Sequence, residues 1–127
     1  MPTVVGDSTE PTDVAEALQL AYSALRQAVE LERRRQDEDV DPDTWAAEIH
    51  ELRTMMSAAG LMTRSIGLSR FTSRVDWGPQ GAPPEQPNLK PGQFLLLAEA
   101  DLQAAHHHFE QAANNLTAAR LKLGYLV

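Results

Sequence analysis

Nine residues toward the C-terminal end of this 127-residue chain recur at steps of three and four without a break: Leu95, Ala98, Leu102, Ala105, Phe109, Ala112, Leu116, Ala119 and Leu123. Alternating steps of three and four put all nine on one stripe of an α-helix, whereas a strand would divide them between two faces. Large residues alternate with alanine, so a partner helix can approach closely along the stripe. The pattern predicts a helix over about 92–123. Gly124 marks its stop, and Arg120 and Lys122 fall in the last turn, where cations suit the helix dipole.

Two earlier segments carry helical periodicity. From about 13 to 36, Val14, Leu18, Tyr22, Leu25 and Val29 recur at steps of three and four. Thr12 or Asp13 can cap this helix, with Glu16 placed as the acid of a capping box and Arg33, Arg34 and Arg35 in the last turns. The next helix starts at Pro42, a favoured first residue, behind the cap Asp41. Its stripe is Trp45, Ile49, Leu52, Met56, Ala59, Thr63 and Ile66, widened by Met55 and Met62. Gly60 and Gly67 each weaken a helix by about 1 kcal/mol relative to alanine, so an end near Ile66, a kink, or continuation to about 72 are all compatible with the pattern.

Residues 76–91 hold five prolines and two glycines and cannot form regular structure. Sixteen residues can span roughly 50 Å when extended, the length of a long helix. The flanking helices can therefore run antiparallel or parallel. The fold expected is all-α: three long helices, about 13–36, 42–72 and 92–123, in a bundle with a Pro-rich loop between the second and third. A flexible tail is expected over 1–11 and a single helical domain over 12–127.

At 43% hydrophobic and 23% charged residues, the composition is that of a globular protein rather than a disordered chain. There is no cysteine, which removes disulfides, thiolate nucleophiles and thiolate zinc sites together. The longest aliphatic run, Phe94 to Ala98, falls far short of the roughly 20 residues of a spanning helix. The N-terminal residues have neither a basic start nor an apolar run, so a cytoplasmic location is expected. Nine arginines to two lysines, with abundant alanine and leucine, fit a GC-rich bacterial genome. Residues 1–51 carry 13 acids against 4 bases, a net −9, and residues 52–127 carry 5 acids against 7 bases, a net +2. The overall −7 disfavours a protein that coats nucleic acid, and the asymmetry is that of one solvated acidic end or of a field that orients a partner or a second copy.

Candidate chemistry is sparse. His106, His107 and His108 point about 100° apart on a helix, so one helix cannot aim all three at one ion. The remaining metal arrangements are a two-ligand pair, His106 with Glu110 one turn on, or a site completed by another helix or another copy. Arg64, Arg70 and Arg74 stand in a stretch without acids, 61–75, which makes them the candidates for contact with nucleic acid or another anion. No nucleophile motif, phosphate loop or cofactor motif is present, so neither catalysis nor a cofactor is expected. What remains is apolar helix surface. The function expected is a non-enzymatic interaction or scaffold protein, self-associating as a homodimer or binding another protein. The residues expected to carry it are Phe94, Leu95, Leu97, Leu102, Phe109, Leu116, Met55, Met62 and Trp77.

Overall fold

The computed structural model describes residues 10–36 and 40–126. It is all-helical, with three long helices: α1 (Val14–Arg34), α2 (Pro42–Ser65) and α3 (Pro91–Leu123). A short 3₁₀ helix, Leu68–Phe71, follows α2. Among the described residues no helix is long and apolar enough to cross a membrane. The chain divides into two units at Val40 and Asp41; α1 belongs to the first and the other helices to the second. Of the tail expected over 1–11, all but Glu10 and Pro11 lies outside the described residues.

In the first unit, Asp13 is the residue that caps α1, its carboxylate accepting the Glu16 N–H at 2.8 Å. The Glu16 carboxylate reaches back to accept from the Thr12 N–H and hydroxyl, which ties the residue ahead of the cap to the first turn. Within the arginine run, Arg33 pairs with Glu30 at 3.1 Å and Arg35 with Glu32.

In the second unit α2 and α3 form an antiparallel hairpin. Ser69 donates to Glu99, Gly60 lies against His106 and Phe109, and Arg53 shares a cavity with Asn114, so one helix ascends as the other descends. The Pro-rich segment is taken up in turns rather than stretched along the hairpin: Gly81 N–H bonds to Gly78 O, Gln86 to Pro83 O and Leu89 to Gln86 O. Gly81 adopts φ +71°, a conformation that side-chain-bearing residues avoid. At the mouth of the loop, a Cβ on Gly92 would fall 2.8 Å from the Thr72 carbonyl oxygen, so α3 can start beside the end of the 3₁₀ helix only with glycine there.

The second helix stops short of the expected limit of 72. Thr63 and Ser65 turn their hydroxyls onto the carbonyls of Ala59 and Leu61, a contact that loosens a helix, and Gly67 takes a non-helical conformation (φ −94°, ψ 76°). The start of α2 is as expected. Asp41 accepts the Thr44 N–H at 2.8 Å, and this bond to the backbone, with the Thr44 hydroxyl and the Asp43 N–H, holds its carboxyl below the ordinary carboxylate range. A depressed carboxyl stabilises the fold above its unfolded-state pKa and loses that contribution as pH falls through the folded value. Acidification below the ordinary carboxylate range is therefore expected to weaken the wild type more than Asp41→Asn, which keeps an uncharged cap. Urea midpoints at neutral and acid pH measure the difference, and identical pH profiles would contradict the assignment.

Candidate interaction surface

Every member of the α3 ladder, from Leu95 to Leu123, is half-buried, and the residue beside it, Ala113, is buried. Leu102 lines a cleft with Thr63, and Phe109 meets α2 at Gly60. The large residues of the ladder thus form the seam of the hairpin, facing α2 within the same chain, and its alanines lie along one edge of that seam. On α2 the facing stripe is Ile49, Arg53, Met56, Ala59, Gly60 and Thr63. It is rotated from the expected stripe toward Arg53 and Gly60, leaving Trp45, Leu52 and Ile66 exposed.

The helices come closest at Gly60. A Cβ there would stand 3.1 Å from Phe109 Cβ and 3.5 Å from His106 Nδ1. Into this gap His106 places Nδ1 at 2.8 Å from the Gly60 carbonyl oxygen, and its Nε2 lies 2.8 Å from Glu110 Oε1. His106 is therefore the side chain that pins α3 to the α2 backbone. His106 and Glu110 supply two donors, and among the described residues no group of three or more side chains could hold a metal ion. His107 is exposed, as its position on the helix implies, and His108, on the flank of the seam opposite His106, is exposed as well.

The two sides of the seam differ in character. One side is polar: Arg53, Ser57 and Arg64 of α2 stand across from Glu99, Gln103, His106, Glu110 and Asn114 of α3, along two adjoining clefts of about 390 and 360 Å³. Counting about 100° per residue, the other side presents Leu52, Met55 and Met62 of α2 and Phe94, Ala98, Ala105 and Ala112 of α3. This side carries exposed apolar residues, bordered by the same count by Glu48 of α2 and by Asp101 and His108 of α3. Leu52, Met55, Phe94 and Leu97 are 37%, 37%, 41% and 48% exposed.

The candidate interaction residues consequently separate into three groups. Leu95, Leu102, Phe109 and Leu116 lie on the seam stripe. Phe94, Leu97 and Met55 are exposed, with Met62 half-buried among them. Trp77, in the loop, packs its ring against Phe94 (5.6 Å between centroids, tilted by 55°) and with Pro79, Pro83 and Pro84 lines a cavity of about 760 Å³.

The three candidate arginines have different neighbours. Arg64 lies along the polar side of the seam, while the 3₁₀ helix and the turn after it set the Arg70 and Arg74 guanidinium groups 5.7 and 5.9 Å from the exposed Phe71 ring. Among the described residues none of the three is ion-paired. The sequence reading missed Arg53 on the seam; the signal was a cation within an otherwise apolar stripe. Compared with protein-family models, with curated proteins and with solved structures, the chain matches none.

Proposed function

We propose that this chain is a non-enzymatic helical interaction protein that self-associates, two hairpins meeting through their apolar sides. The observation that carries this reading is the thinness of the core. Ala113 is the one buried apolar side chain among the described residues, and no large side chain is fully buried. A hairpin of this size lacks the interior that keeps small domains folded, and burying apolar side chains against a partner supplies it. The alanines of α3 on that side, Ala98, Ala105 and Ala112, give a shallow wall against which another helix can pack closely. A two-fold axis along the apolar side would bring these alanines and the larger Leu52, Met55 and Phe94 of both copies into one interface.

Light scattering and sedimentation of the full chain test the proposal. The wild type is expected to be a dimer, and Leu52→Glu with Met55→Glu a helical monomer. Placing carboxylates in an apolar interface costs several kcal/mol, so dissociation is expected to rise by about two orders of magnitude or more. A wild type that stays monomeric at high concentration defeats the proposal, as does a double variant that dimerises equally well.

A further inference from the structure

Arg53 occupies a place on the α2 seam stripe between Ile49 and Met56, where an apolar residue would be expected. Its Nε atom is buried and has no hydrogen-bond partner among the described residues. A buried guanidinium N–H left unpaired is unfavourable, and an acceptor that reaches it is correspondingly favoured. Beside it the 360 Å³ cleft opens between the helices, within the size range of small-molecule sites. Ser57 and Asn114 bring a hydroxyl and an amide to its wall, Met56, Leu61 and Ala113 give it an apolar part, and Gly60, His106 and Glu110 complete it. Glu110, the one carboxylate of the wall, is engaged by His106 Nε2.

We infer that this cleft binds a carboxylate carried on a small apolar body. A guanidinium turned onto a carboxylate forms two parallel N–H···O bonds, one of them from Nε, which removes the unpaired donor. Ser57 and Asn114 donate to the remaining lone pairs. The apolar body lies on Met56, Leu61 and Ala113. A single cation suits a monoanion better than a phosphate dianion, and the apolar wall excludes a fully hydrated ion. The same chemistry is offered by a free short-chain acid and by an acidic side chain on a partner peptide. The site lies on the polar side of the seam and is independent of self-association.

The test is a titration of the isotopically labelled full chain followed through the Arg53 Nε–H and Asn114 side-chain amide resonances. Hexanoate is expected to move both saturably, with affinity in the millimolar range proper to so few atoms. Hexanamide, of equal length and uncharged, is expected to bind at least about tenfold more weakly, the measure of a charge-assisted bond. Arg53→Lys keeps the charge and loses the fork, so it too is expected to weaken hexanoate by about tenfold, with unchanged helicity showing that the hairpin persists. A capped leucyl-glutamate dipeptide separates the two sources: tighter binding than hexanoate identifies a peptide side chain, and weaker binding a free acid. The inference is overturned when neither probe moves the two resonances. It also falls when hexanamide matches hexanoate, or when Arg53→Gln binds hexanoate as well as the wild type does.

Discussion

Gly60→Leu is expected to destabilise the hairpin by about 2–4 kcal/mol, the combined effect of overpacking and of losing a part-buried hydrogen bond. The Cβ alone would meet Phe109 Cβ at 3.1 Å, and the rest of a leucine side chain has to occupy the space now held by the His106 ring. Separating the helices to make room breaks the bond from His106 Nδ1 to the Gly60 carbonyl. Gly60→Ala is the control. It gains roughly 1 kcal/mol of helix propensity while pressing on Phe109 by a few tenths of an ångström, so the two effects nearly cancel. Urea unfolding followed by far-UV circular dichroism measures both. A leucine variant as stable as the wild type would mean that α2 and α3 do not cross closely at this point.

Phe109→Ala approaches the same crossing from the other side and is expected to destabilise by about 2–3 kcal/mol, below the range for a fully buried phenylalanine because this one is half-buried. Unlike Gly60→Leu, it removes packing without displacing α2. The two changes share one space, so Gly60→Leu combined with Phe109→Ala is expected to lose less than the sum of the single variants. Strict additivity in the same urea experiment would show that the two positions are not in contact.

The α3 ladder was legible because its repeat is long and unbroken. Period alone does not say whether the facing helix belongs to the same chain, so Leu102 and Phe109 could equally be read as interface residues. In α2 the signal was weaker for a physical reason. Gly60 reads in a sequence as a loss of helix propensity, yet here the missing side chain is what admits Phe109 and His106. Arg53 reads as an interruption of the apolar stripe, and only the fold shows that it borders a cleft. The helix direction could not be read, because sixteen residues suffice for either path; the loop turns and the contact between Gly92 and Thr72 decide it. The His106 and Glu110 pair followed from one-turn spacing, whereas the Gly60 carbonyl as the second partner of that imidazole depends on tertiary structure.

A stripe mostly of leucine and alanine at heptad spacing, as on α3, offers a facing helix nearly the same surface when that helix slides along it by seven residues, about 10 Å. Apolar packing by itself would leave such displaced alignments close in energy. Gly60 has no equivalent one heptad away within α2: position 53 is arginine, and Gly67 lies beyond the last helical residue. His106 can therefore reach a main-chain carbonyl through a gap in the side chains at one alignment of the pair. The single glycine makes one longitudinal setting of the hairpin distinct from its near-repeats, and with it fixes which residues of α2 and α3 share each side of the seam.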